Sequence, residues 1–141
     1  MSAPQVAMQI AVSARFLASA PVVAMVAPSS DGPAVFAVGQ TFDKVFPRLV
    51  LETPQWLPRS GSCGRSGDLV VTFHSWTRGP DCSLTAPALA DLATLALATG
   101  LTLEGWRISS WDDEGSAPVG DPSSGIEHVV TRIRYSVQQT S

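Results

Sequence analysis

The chain changes its hydrophobic period several times, and each change predicts an element. From Val6 to Leu17, apolar residues recur at helical spacing: Val6, Ile10, Ser13 and Leu17 form one stripe, with Met8, Val12 and Phe16 beside it. Pro4 stands where a helix start tolerates proline, and Ser2 ahead of it can act as a cap. The pattern therefore predicts a helix over 4–18 and a second short helical turn from Pro21 to Val26. Pro28, Gly32 and Pro33 then impose a loop. Ala34 to Val38 predicts a short strand, and Leu49 to Leu51 a second, entered by Pro47. In the third strand Leu69, Val71 and Phe73 alternate with Val70, Thr72 and His74, and Trp76 closes it.

Ser83 to Thr99 carries the clearest helical pattern, with Leu84, Ala88, Leu92, Leu95 and Thr99 on a stripe and Leu89, Ala93 and Ala96 beside it. Asp81 or Ser83 can cap this helix, and Gly100 is placed to end it. Leu101 to Trp111 alternates again, with Leu103, Gly105, Arg107 and Ser109 facing one way and Trp106 and Ile108 the other. In the last strand Val129, Thr131, Ile133, Tyr135 and Val137 share one side, and Val130, Arg132, Arg134 and Ser136 the other. That is the alternation of a half-buried antiparallel strand. Thr53 to Gly67 and Asp112 to Gly125 are rich in Gly, Ser and Pro and read as long loops. The expected fold is a single α+β domain over 1–141. It has a mostly antiparallel sheet of four to five strands within 34–137, two helices on one face, long inter-strand loops and a frayed tail at 138–141.

Composition sharpens this picture in one respect. Of the 141 residues, 45% are hydrophobic and 15% charged. The charged share is well below the usual quarter or so, which points to surface covered by partners. A GC-rich genome supplying Ala and Arg accounts for the composition equally well. Net charge is −3 and Lys44 is the single lysine, so the chain shows no basic footprint for sequence-specific nucleic-acid binding. No apolar stretch reaches the roughly 20 residues of a membrane span. The N-terminus lacks a basic region followed by an apolar run, so the expectation is synthesis and assembly in a cytoplasm.

Candidate chemistry is sparse. His74, His128, Cys63 and Cys82 alternate in the chain without a close ligand pair, so no metal site is expected and the histidines read as strand residues. The cysteines read as two thiols, with a Cys63–Cys82 bridge as the alternative. No nucleophile motif occurs. Gly61, Gly64 and Gly67 lack the order of a phosphate-binding loop and read as loop flexibility. Asp112, Asp113 and Glu114 lack the spacing of a calcium loop. No catalytic residue and no cofactor is therefore expected. Among the tryptophans, Trp76 and Trp106 read as core, and Trp56 and Trp111 as interface anchors beside the long loops.

The order of elements resembles one known family. An N-terminal alanine-rich helix and a short helix lead into AVFAVGQTFDKVFPRLVLE. GDLVVTFHSWTRG, the helix LTAPALADLATLALATG and LTLEGWRISSWDDEG follow, and the chain closes with IEHVVTRIRYSVQQ. This pattern is similar to the tail-completion, or tail-terminator, proteins of long-tailed bacteriophages and phage-like gene transfer agents. The resemblance rests on Phe46, Pro47, Leu49 and Val50 at one strand entry. It also rests on Ser75, Trp76 and Arg78 at a strand–helix junction, and on Arg134, Tyr135 and Val137 in the last strand. It spans about residues 5–137 and departs from the family in the stretch around Arg59 to Gly67 and in the prolines before the first strand.

The resemblance implies a virion protein that forms a ring, typically a hexamer, on the last ring of the tail tube. Such a ring ends tube polymerisation and offers a surface to the head or neck connector. DNA passes through its lumen. It is a structural protein and not an enzyme. On this reading Arg59 and Arg65 share a contacting loop, and the Asp112–Glu114 segment reaches a neighbouring subunit or the tube. Another neck protein of similar size is the alternative, and a small-molecule-binding α+β domain a more distant one.

Overall fold

The computed structural model describes residues 3–37, 44–60, 65–120 and 124–140. In chain order the elements are α1 (Pro4–Ala18), α2 (Ala20–Met25), β1 (Pro28–Ser29), β2 (Gly32–Pro33), β3 (Val35–Ala37) and β4 (Arg48–Leu51). They continue with β5 (Gln55–Arg59), β6 (Ser66–Arg78), α3 (Cys82–Leu97), β7 (Trp106–Val119) and β8 (Ile126–Gln139). The fold class is α+β, as the pattern implies. Among the described residues the main sheet has six strands rather than four or five, and three helices rather than two pack on it. It is also mixed, because β3 runs parallel to β4 while the other pairings are antiparallel.

Strand order is β3–β4–β6–β8–β7, with β5 also on β6. The centre is the β6–β8 ladder, which runs without interruption from Ser66 opposite Gln138 to Arg78 opposite Ile126. The other edge of β6 is divided: β4 takes Phe73 to Trp76, and β5 takes Ser66 to Val70. Glu52 N–H donates to Thr72 O at the junction.

Alternation then decides what each face carries. Leu69, Val71 and Phe73 of β6 lie with Ile133, Tyr135 and Val137 of β8 and Leu49 and Leu51 of β4 in one buried cluster. Met8, Val12 and Phe16 of α1, Val22 of α2 and Leu89, Ala93 and Leu97 of α3 close it. Phe16 meets Phe73 edge to face at 5.3 Å. The same alternation sends Arg48, Asp68, His74, Trp76, His128 and Arg134 to the opposite side, away from that helix-covered cluster.

Both predicted loops contain strands. Within Thr53–Gly67, β5 pairs with β6, and Pro58 is tolerated opposite Gly67 because β5 bonds to one neighbour. Gly67 belongs to β6, and its role is space rather than flexibility. A Cβ there would fall 2.5 Å from Leu57 O and 2.7 Å from the Trp56 ring. Within Asp112–Gly125, β7 continues to Val119 as an edge strand exposed on both faces, so no alternation marks it. Register shifts occur between Ile108 and Ser110 and between Asp113 and Ser116. The run from Leu103 also differs from expectation. Leu103 and Trp106 are both buried and bridge each other, and regular strand starts only at Trp106. The tail does not fray from Gln138, since Gln139 N–H donates to Arg65 O and Thr140 N–H to Gly105 O.

The two long helices face opposite to their strongest apolar stripes. In α1, Met8, Val12 and Phe16 are buried and Val6, Ile10 and Leu17 are exposed. In α3, Ala86, Leu89, Ala90, Ala93, Ala96 and Leu97 are buried, and Leu84 and Leu95 are exposed. Each helix is apolar on two opposite faces, and in α1 the large Phe16 and Met8 side chains fill the space over the sheet. Asp81 holds the N-cap position of α3 without a side-chain cap bond, and Ser2 lies outside the described residues. Gly100 follows the end of α3 at φ +76°. Arg15 Nε donates to Ala96 O at 3.2 Å, tying α1 to the last turn of α3. Cys82 is buried at the start of α3, while Cys63 lies outside the described residues.

Gly67→Val is expected to lower stability by about 1–3 kcal/mol, the usual effect of forcing volume into a packed site. Chemical denaturation of the variant checks this, followed by tryptophan fluorescence and circular dichroism.

Candidate interaction surfaces

The open side of the sheet carries two polar constellations, one at each end of β6. The first spans four strands. Asp68 of β6 accepts from Arg134 Nη1 (2.9 Å), Arg59 Nη1 (2.5 Å) and Ser136 Oγ (3.1 Å). Arg134 Nε also pairs with Glu114 at 3.4 Å. Register explains the meeting, since Asp68 is opposite both Leu57 and Ser136, and Arg59 and Arg134 lie within reach of it. Burial acts to raise the Asp68 pKa, but hydrogen bonds from Arg134, Ser136 and Arg59, with the Arg59 charge, outweigh it and hold the carboxyl below its ordinary value.

The second constellation is a row of rings and cations. His128 stacks on Trp76 at 3.8 Å and 10°. Arg48 lies 5.1 Å from the Trp76 centroid and 4.5 Å from that of Phe46, and Arg78 covers Phe46 at 4.5 Å. Phe46 is joined to Pro47 by a cis peptide bond. His74 Nδ1 is hydrogen-bonded to His128 Nε2, and His74 Nε2 to Glu52. A carboxylate only accepts, so the His74 nitrogen facing Glu52 carries the proton. With His74 neutral, His128 is the donor to it, and the bonds run from His128 to His74 to Glu52. Burial, then the neighbouring His74, holds the His128 pKa below its ordinary value, against the opposing charge of Glu127. Burial and the neighbouring Arg78 likewise lower that of Arg48.

No metal-binding cluster occurs among the described residues. Two histidines in separate strands gave no sequence signal for this row. The signal was in the register, which sets Trp76 opposite His128 and His74 two positions away.

The residues singled out from the sequence divide into two groups. Trp56, Arg65 and Trp106 come together: the two indoles meet edge to face at 5.4 Å, and Arg65 covers them at 5.9 and 5.4 Å. Trp106 is core, as expected, whereas Trp76 lies on the open face rather than in the core. Trp56 is half-buried against the core, and Arg59 belongs to the Asp68 network. Trp111, Asp112, Asp113 and Glu114 lie along edge strand β7. There Trp111 stacks beside Tyr135 at 6.4 Å, Asp113 accepts from Gly115 N–H at 2.8 Å, and Asp112 stands opposite Arg134. The acidic residues thus sit on a paired strand, not at a loop tip.

Among the described residues no helix is long and apolar enough to cross a membrane. No family model matches the chain, and no curated protein does. Solved structures do match. A chain in the virion of a native gene transfer agent particle is similar at a TM-score of 0.80 and 19% identity, over 98% of this chain and 99% of that one. The two chains share one fold from end to end. The gp17 protein of bacteriophage SPP1 is similar at a TM-score of 0.63 and 18% identity, over 97% of this chain and 94% of its own. The two sources, a gene transfer agent and a phage, are the two kinds of particle named by the sequence resemblance.

Lowering the pH should test the relay. The unfolded chain binds a proton on His128 near pH 6.5, while the folded chain refuses it until lower pH. Stability is therefore expected to fall as pH drops through about 6.5, by at most about 1.4 kcal/mol per pH unit from this group. In urea titrations from pH 7.5 to 5.5, His128→Gln should flatten that slope; an unchanged slope would contradict the assignment.

Proposed function

We propose that this chain is a tail-completion protein. Copies of it form a ring that caps the tail tube of a phage or phage-like particle, ends tube growth and presents its far side to the neck. The observation that carries this reading is the shared fold, end to end, with a chain of a gene transfer agent virion. The sequence resemblance supports it independently, through element order and strand-entry motifs rather than overall identity.

The physical character of the surface agrees with a structural role. Charged residues are few, and several large apolar side chains are exposed. The titratable groups that do cluster, around Asp68 and His74, are occupied with one another instead of aimed into a common cleft. The proposed partners are other copies of the chain, most simply six in a closed ring, the tail tube protein and a head or neck connector. A cyclic ring joins two different patches on each subunit. Arg59 and Arg65 are exposed although engaged within the subunit, and they offer planar donors to a neighbouring carboxylate. Trp111, Asp112, Asp113 and Glu114 form the acidic edge that reaches a neighbour or the tube, while Trp56 supports Arg65 from beneath. The assembled protein resides in the virion after assembly in a bacterial cytoplasm, with DNA passing through the lumen.

Electron microscopy of particles made without this chain tests the reading. Tubes of uncontrolled length, or tubes that fail to join heads, are expected. Tubes of normal length with heads detached would favour the neck-connector alternative, and normal particles would overturn both. Reversing Asp112 and Asp113 to arginine should weaken ring assembly by at most about fivefold, the scale of exposed ion pairs. Sedimentation of the purified chain measures this, and the effect should shrink as salt rises.

A further inference from the structure

Two apolar stripes remain uncovered by the fold. On α1, Val6, Ile10 and Leu17 are 51%, 65% and 46% exposed; on α3, Leu84 and Leu95 are 72% and 60% exposed. Each stripe lies on the side of its helix away from the buried face. Val6 to Leu17 and Leu84 to Leu95 are separated by the same number of residues, about three turns or 16 Å of helix.

The stripes differ in shape. That of α1 is one wall of a groove of about 590 Å³, whose lining includes Val6, Ile10, Ser13 and Leu17 and, from β3, Val35 and Ala37. None of the groove's lining side chains is ionisable. That of α3 is a ridge, with the exposed Ala88 between its two leucines. Asp91 is the one charge on this helix, and it is exposed between Ala88 and Leu95. Gln9 and Ser13 in the groove supply an amide and a hydroxyl that can donate to such a carboxylate.

A groove and a ridge of equal length, both almost uncharged and carried by different helices of one chain, match each other. Groove against groove would leave the α3 leucines in water. We propose that the α1–β3 groove of one subunit receives the outward face of α3 from a second copy. This head-to-tail contact repeats around a closed ring. The inference rests on the ring reading above and names the surface that makes it.

Single cysteines near the middle of each stripe test the contact whichever way the helices run. In the full chain with Cys63→Ser and Cys82→Ala, one preparation carries Ser13→Cys and another Ala88→Cys. Oxidation of the mixture is expected to give a disulfide-linked pair, and the two substitutions in one chain a covalent ladder ending at the ring. Neither single variant alone should cross-link. Dimers from Ser13→Cys alone, or no cross-link while the parent chain forms rings, would overturn the proposal and leave the ring reading standing. A parent chain that stays monomeric at high concentration and on tail tubes would overturn both.

Ile10→Glu and Leu95→Glu supply a second measurement. Both residues are exposed, so the unfolding transition should be retained while the dissociation constant rises at least about thirtyfold, as for loss of interface anchors. Rings that persist in both variants while tube binding is lost would assign the groove to the tube protein and overturn the proposal.

Discussion

The antiparallel pairing of β6 with β8 is the constraint on which the other elements depend. These strands lie along each other from Ser66 and Gln138 to Arg78 and Ile126. Because side chains alternate, a ladder of that length divides the protein into a dry side and a wet side over its whole extent. Each neighbouring strand inherits the division through its register. Leu49 and Leu51 thereby join the core, while Arg48 and Glu52 join the open face. A slip of one residue would exchange Phe73 with His74 and Tyr135 with Arg134, so register and burial enforce each other.

The open face shows how such a sheet keeps polar groups without a second layer. Asp68 sits among two arginines and a serine drawn from two neighbouring strands, and its charge is balanced locally. At the other end, rings instead of carboxylates shield the cations. Arg48 is buried between Phe46 and Trp76, and its neighbour Arg78 disfavours the charge. These two solutions leave the helical layer as the more apolar exterior.

Much of this was legible in the sequence where one face is buried and the other wet. The alternation of β8 assigns Val129, Thr131, Ile133, Tyr135 and Val137 to one side, and all are buried. The start of α1 at Pro4 and the Gly100 stop beyond α3 were equally readable, because proline and glycine act locally. Edge strands were not. β5 and β7 bond to single neighbours and tolerate Pro58, Gly115 and Pro118, so they carry the composition of loops. The face of each helix was also hidden, since a helix apolar on two opposite sides does not say which side meets its own sheet. The His74–His128 contact joins residues 54 apart in sequence, and only the strand pairing brings them together.

The two offsets in the β7 ladder have a consequence for the protein's colloidal behaviour. An outer strand of this length, with regular pleating, would be a template on which further chains could add backbone to backbone. Here Pro118 has no amide hydrogen to offer, the Gly115 N–H is taken by Asp113, and two register shifts break the regular pairing. Such a border is a poor template for a further strand, which leaves side chains, not backbone, as the means by which other molecules can be met there.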